Sequence, residues 1–165
     1  MTFEEIKDLL TAKFGDAVVL EETPGHQPQF VIPASSLVEV CLELFRNEKT
    51  YFDFLSCVTG IDNGPEKGNM EVIYNLYSIP YGHALTLKVI IRRNLEGEPL
   101  PSVPSLVSVW KSANWHERET FDLLGIVFDG HPDMRRILLP ADWEGFPLRK
   151  DYKLQDYYHG IKTVY

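Results

Sequence analysis

The chain has 165 residues, 44% of them hydrophobic, and a formal net charge of −8. The length suits one domain with an extension, and the composition is that of a globular chain rather than a disordered one. The acidity argues against a nucleic-acid partner, because phosphate binding needs a basic surface.

In chain order, the first predicted element is a helix over residues 2–14. Thr2 and Glu5 have capping-box spacing, and Phe3, Ile6, Leu10 and Phe14 recur at helical period. This acidic, amphipathic start is unlike a secretory leader. No apolar run reaches the roughly 18 residues that a spanning helix needs. The chain is therefore expected to begin in the cytosol, or its topological equivalent, which leaves a place on a membrane-bound assembly open to it. Gly15-Asp16 ends the helix. Residues 17–20 and 29–32 read as strands joined by a Pro/Gly loop, and Pro33 stops the second.

Ser36 and Glu39 repeat the capping-box spacing ahead of a second helix, whose apolar stripe is Leu37, Val40, Leu44 and Phe45 and which ends near Arg46. Residues 51–59 are rich in aromatic and β-branched side chains and predict a strand. After a turn at 63–68, residues 71–78 and 84–92 predict a hairpin around Pro80-Tyr81-Gly82. In its second strand Leu85, Leu87, Val89 and Ile91 share one face, and Thr86, Lys88 and Arg92 share the other. The order α-β-β-α-β-β-β implies an α+β sandwich of two layers over residues 1–93, with helices on one face of a mixed or antiparallel sheet.

Residues 94–139 follow as a connector with two helices. The stretch to Pro104 is rich in Pro and Gly. Ser105–Lys111 is a short predicted helix. Asn114–Leu124 is a second, with Asn114 as N-cap, Glu117 three residues on and Gly125 as the stop. Beyond Gly125 the periodicity is lost, and residues 140–165 are expected to form an extended arm.

The two cysteines, Cys41 and Cys57, are isolated in apolar contexts. With no CxxC or Cys/His cluster, a zinc or iron–sulfur site built by this chain alone is not expected, and both read as buried reduced thiols.

The densest run of charge and aromatics is Trp115-His116-Glu117-Arg118-Glu119-Thr120-Phe121-Asp122-Leu123-Leu124-Gly125, leading through His131-Pro132-Asp133 to Arg135-Arg136-Ile137-Leu138-Leu139-Pro140. It resembles the signature of the thirty-kilodalton subunit family of NADH-quinone oxidoreductase (respiratory complex I). That pattern is Glu-Arg-Glu, two residues, Asp and two apolar residues. Six residues later come His or Lys, three residues, Arg, one residue and two aliphatics. Glu117-Arg118-Glu119, Asp122, Leu123-Leu124, His131, Arg135 and Ile137-Leu138 fill every specified position. Asn114-Trp115 and Phe146-Pro147-Leu148-Arg149-Lys150-Asp151-Tyr152 also look like the family.

The resemblance implies a structural subunit of the peripheral arm of a proton-translocating NADH-quinone oxidoreductase. It implies no catalytic, metal or cofactor site in this chain. FMN, iron–sulfur clusters and quinone belong to partner subunits. The expected neighbours are the forty-nine-kilodalton quinone-site subunit and the subunit carrying the terminal cluster. The expected place is the cytoplasmic face of a bacterial inner membrane, or the matrix or stromal side in an organelle. The motif does not separate this assembly from a related energy-converting hydrogenase or formate-oxidising complex.

Physically, three readings of the motif stand. The bland one is a solvated helix: Arg118 and Asp122 pair four apart, worth about a few tenths of a kcal/mol, Glu117 closes a capping box with Asn114, and His131-Pro132 is a turn. The second is a buried network, in which Trp115, Phe121, Leu123 and Leu124 leave little free helix. Glu117, Glu119 and Asp122 then need partners, and Arg135 and Arg136 arrive after the turn to supply them. The third, catalytic reading makes Glu117, Glu119, Asp122 and His131 an acid/base set. It lacks a nucleophile context, metal-ligand spacing or phosphate loop. The arm carries Trp143, Phe146, Arg149, Tyr152, Tyr157 and Tyr158. Either it docks on a partner or it folds back on its own domain.

Overall fold

The computed structural model describes residues 1–21 and 28–163. The loop predicted at 23–28 lies, except for Pro28, outside the described residues.

Helix α1 spans Phe3–Phe14, and its capping box is complete: the Thr2 hydroxyl accepts from the Glu5 amide at 3.3 Å, and the Glu5 carboxylate accepts from the Thr2 amide at 2.7 Å. A 3₁₀ turn at Gly15–Ala17 leads into β1 (Val19–Glu21), two residues later than the periodicity suggests. Strand β2 is Gln29–Val31, and Phe30 stacks on Phe3 of α1 at 5.1 Å between ring centroids. Helix α2 spans Leu37–Arg46 and buries Leu37, Val40, Cys41 and Leu44. The expected capping box at Ser36 does not form. A 3₁₀ turn over Ala34–Ser36 puts Ser36 in a helical backbone conformation, so its hydroxyl makes no cap bond.

Strands β3 (Phe54–Asp62), β4 (Asn69–Ser78) and β5 (His83–Arg92) complete one five-stranded sheet of order β1-β2-β5-β4-β3. All pairs are antiparallel except β2 with β5. Strand β3 starts three residues later than predicted, because Tyr51 takes a positive φ of 34° and the Thr50 and Tyr51 amides turn back to Asn47. The two-layer α+β sandwich is thus present. Val72↔Val89, Tyr74↔Leu87 and Leu76↔Leu85 face the core under α1 and α2. Among the described residues no helix covers the opposite face, where Val19, Thr59 and Ile90 are exposed. Its centre holds Lys88, only 6% exposed, ion-paired with Glu21 and Glu71. So the polar face assigned to Thr86, Lys88 and Arg92 is itself largely closed, with Arg92 alone of the three exposed.

The connector holds a strand that composition did not reveal. Strand β6 (Ser102–Pro104) pairs in parallel with β7 (Val127–Asp129). The short helix expected over Ser105–Lys111 is instead a series of turns. Trp110 fixes them: its indole N–H donates to the Phe52 carbonyl at 2.9 Å, and its ring meets Phe45 edge-on at 6.0 Å. Helix α3 (Ala113–Leu124) then crosses β3 at Gly60. A Cβ there would sit 2.4 Å from Leu124 Cδ1 and 2.7 Å from Thr120 Cγ2, so the close approach requires glycine. A small antiparallel ladder, β8 (Tyr157–Tyr158) with β9 (Ile161–Lys162), closes over His159 and Gly160, both at positive φ.

Candidate functional site

Helix α3 turns its charges inward. Glu117 and Asp122 are fully buried and Arg118 nearly so, while Trp115 is 64% exposed and Glu119 faces solvent. The helix starts one residue before the expected cap, so Asn114 lies inside it and no side chain caps its start. Glu117 therefore does not close a capping box. Its two carboxylate oxygens accept from the Ser105 hydroxyl at 2.6 Å and the Leu106 amide at 2.7 Å, tying α3 to the turn after β6. Burial pushes its carboxyl up to about 7, the two hydrogen bonds offsetting only part of that cost.

Asp122 is held differently. One carboxylate oxygen accepts from Arg136 at 2.7 Å, and the other collects three successive amides, those of Ile137, Leu138 and Leu139, at 3.0, 2.7 and 2.9 Å. Burial alone would raise this carboxyl, but the Leu139 amide, Arg136 and the other two amides outweigh it and hold it below the usual range. Arg136 also donates to the carbonyls of Asp122, Trp143 and Gly145. Arg135 does not join this network through its side chain. It is exposed and pairs with Asp133 at 3.0 Å, because the chain running past Asp122 puts adjacent residues on opposite sides. Its carbonyl instead accepts from Arg118 Nε at 3.2 Å, and the Arg118 guanidinium lies 5.1 Å from the Trp115 ring. The i,i+4 pair of Arg118 with Asp122 does not form. His131 accepts the Asp133 amide at Nδ1, 2.9 Å, so its Nε2 carries the proton and donates to the Asn114 carbonyl at 3.1 Å.

The last carbonyls of α3 have no partners within the helix. Residues 136–149 supply them as a strap. Arg136 takes the Asp122 carbonyl, the Leu148 amide takes that of Leu123 at 3.0 Å, and Arg149 takes that of Leu124 at 2.7 Å. Two guanidinium charges thus sit at the negative end of the helix. Between them lies Phe146, its ring 5.2 Å from the Arg136 guanidinium and 4.9 Å from that of Arg149. Phe146 fills the notch left by Gly125, which adopts φ 71° as the C-cap; a Cβ there would stand 2.6 Å from the Phe146 ring. The strap's far end is pinned by residues that sequence reasoning missed. Asp62 accepts the Lys150 amide at 2.9 Å, the Gly64 amide at 3.0 Å and Arg93 Nε at 2.9 Å, and Arg93 also pairs with Asp151. Burial works against the Asp62 charge, yet the Lys150 and Gly64 amides and then Arg93 keep its carboxyl below the usual range. The one sequence hint was Asp62-Asn63-Gly64, an Asx-turn pattern.

The stretch assigned to an arm therefore has two parts. Residues 140–152 lie against the domain, with Trp143 donating to the Tyr152 hydroxyl at 3.1 Å and its ring close to that of Tyr158. Beyond them Leu154, Tyr157 and Ile161 are exposed, as are Leu138 and Leu148 nearby. The acid/base set of the catalytic reading is not assembled: Glu117 faces Ser105, Asp122 faces Arg136, Glu119 faces solvent and His131 faces Asn114. A hollow of about 540 Å³ beside Phe146, Arg149 and Tyr152 mixes Glu96, Glu144 and Asp151 with Lys153. Among the described residues no cluster of His, Cys, Asp or Glu could hold a metal ion, and no helix is long and apolar enough to cross a membrane.

Comparison with known proteins places this arrangement. The family described as respiratory-chain NADH dehydrogenase, 30 Kd subunit, matches residues 30–158. The C subunit of NADH-quinone oxidoreductase from Chlorobium phaeobacteroides is 43% identical over 160 residues, covering 96% of this chain and 93% of that one. Its counterpart from Chloroherpeton thalassium is 41% identical over 167 residues, covering 100% of this chain and 65% of the other. Among solved structures, a chain of the membrane-bound sulfane sulfur reductase, an archaeal respiratory membrane complex, shares the fold with a TM-score of 0.74 at 23% identity, over 92% of this chain and 85% of that one. With a family match running from β2 to β8 and relatives this similar along nearly its whole length, the chain belongs to the 30-kilodalton subunit family of respiratory-chain NADH dehydrogenase, the C subunits of NADH-quinone oxidoreductase.

Proposed function

We propose that this chain is a cofactor-free brace in the peripheral arm of a proton-translocating NADH-quinone oxidoreductase. In this reading it packs against the forty-nine-kilodalton quinone-site subunit, close to the terminal-cluster subunit, on the cytoplasmic face of the membrane. FMN, iron–sulfur clusters and quinone reside in the partners. The observation that carries the reading is a strap locked onto α3 and the sheet edge, with exposed apolar side chains on it, Leu138 and Leu148, and on the segment beyond it, Leu154, Tyr157 and Ile161. Leu138 and Leu148 stand on backbone already hydrogen-bonded to Asp122 and to the end of α3, so they lose little further freedom on binding. Arg136, Arg149 and Asp122 hold the strap in place.

The test is the subunit composition of the complex purified from native membranes through this chain, read by mass spectrometry. The quinone-site and terminal-cluster subunits are expected at equal stoichiometry. Recovery of the chain alone, or with hydrogenase or formate-oxidising partners, overturns the assignment. Stoichiometric iron, zinc or flavin in the isolated chain would sink the cofactor-free part.

A further inference from the structure

Three carboxylates among the described residues have fully buried side chains or nearly so, and they are not treated alike. Asp62 has Arg93 and Asp122 has Arg136, each in direct contact. Glu117 has no cation within ion-pair distance among the described residues; its partners are one hydroxyl and one amide. A carboxylate taken out of water without a counter-charge is costly, and the usual escape is to bind a proton.

We propose that Glu117 is a buried proton-binding site, taking up one proton from solvent, and that its occupancy sets how α3 holds the Ser105–Leu106 turn. The inference concerns this chain's own chemistry and does not depend on the partners assigned above.

Both protonation states fit the observed geometry. In the ionised form Ser105 donates to one oxygen of Glu117 and Leu106 to the other. In the neutral form the acid hydrogen lies on the oxygen facing Ser105 and donates to its hydroxyl oxygen, and the serine's own hydroxyl hydrogen rotates away from Glu117. That oxygen already accepts the Val107 amide at 3.2 Å and keeps it. The proton adds to a carboxylate lone pair, so no other covalent bond is made or broken. Leu106 stays hydrogen-bonded throughout, but to a charged carboxylate in one state and a neutral acid in the other, and the charged acceptor is the stronger.

The groups around Glu117 do not supply a charge to cancel its own. From β4 it is approached by Tyr74, whose buried hydroxyl has no hydrogen-bond partner among the described residues, and Tyr74 in turn has the buried Cys41 of α2 as a neighbour. Burial, then Cys41 and Glu117, raise the Tyr74 phenol well above its ordinary value, and burial raises the Cys41 thiol, so both are neutral here. On α3 itself Arg118 turns to the carbonyls of Arg135 and Arg136 and to Asp133, and Glu119 faces solvent. The upward displacement of Glu117 to about 7 follows from the same facts.

The experiment is a carboxyl-carbon NMR titration of the full chain, with amide spectra recorded alongside. The Glu117 carboxyl is expected to titrate near neutrality, and the Leu106 amide proton to move downfield with the same midpoint as the carboxylate forms. Glu117→Gln should abolish the Leu106 movement. The wild-type titration stands alone should that variant fold poorly. A Glu117 midpoint in the range of an exposed glutamate overturns the proposal, as does a Leu106 amide that ignores the titration.

Discussion

Replacing Arg136 by alanine separates two adjacent arginines that the sequence presents as equals. The substitution removes the cation that touches Asp122, a carboxylate with no exposure, together with donors to the Asp122, Trp143 and Gly145 carbonyls. Breaking a buried pair from one side costs about 3–5 kcal/mol. The amides of Ile137, Leu138 and Leu139 remain on Asp122 and go on solvating its charge, which argues for the lower end, about 3 kcal/mol. For a chain of this size that corresponds to a fall in Tm of roughly 6–12 °C. Arg135→Ala removes an exposed pair with Asp133 and should cost under about 0.5 kcal/mol. Urea unfolding and thermal scans of the two variants measure the difference. The acid limb adds a check. Because Asp122 is held below its ordinary value, its stabilisation is present above the unfolded pKa and is lost as pH falls through the folded one. Without Arg136 the folded pKa rises, so that loss should finish at a higher pH and be smaller. Equal destabilisation by both variants, or Arg136→Ala within about 0.5 kcal/mol of wild type, would refute the reasoning.

Three further outcomes are expected. Gly125→Ala should cost about 2–4 kcal/mol in urea unfolding, from the left-handed backbone and displacement of Phe146. Stability should fall as pH rises from the ordinary glutamate range through about 7, because the folded pKa of Glu117 is raised; the span is about 3 kcal/mol, and Glu117→Gln should remove it from a stability–pH curve. Truncation after Tyr152 should leave a folded domain by circular dichroism, within about 2 kcal/mol of wild type, that no longer co-purifies with the complex, whereas truncation after Pro140 should keep the sheet but lower stability further by removing Phe146 and Arg149.

The parts of the fold that were legible in the sequence are those where burial repeats. The stripe of Leu37, Val40 and Leu44 and the alternation of Leu85, Leu87 and Val89 each place one face in the core, so α2 and β5 could be read directly. Strand β6 could not, since three residues with a proline carry no period, and its partner β7 follows α3. Local capping grammar misled twice: Ser36 is already helical, and Glu117 serves the turn at Ser105, twelve residues earlier, rather than the start of its own helix. The signature motif contains the two buried acids, Glu117 and Asp122, beside the solvent-facing Glu119, and does not tell their partners. Nothing in Arg135-Arg136 tells which side chain faces α3 in a stretch without period. The clamp of Asp62 and Arg93 was silent because its other half lies at Lys150 and Asp151, far along the chain.

That long separation has a kinetic consequence. The Asp62–Lys150 contact spans 88 residues, and formed from an open chain it would carry a heavy loop-closure entropy. It need not form that way. Once β3, β4 and β5 pair and α3 settles into the gap at Gly60, the end of α3 offers free carbonyls to Leu148 and Arg149, and seating those two residues brings Lys150 to Asp62 with almost no loop left to close. The strap thus zips in last, by short steps, and its release should be the first event of unfolding: a local opening that frees residues 136–152 while the sheet stays intact.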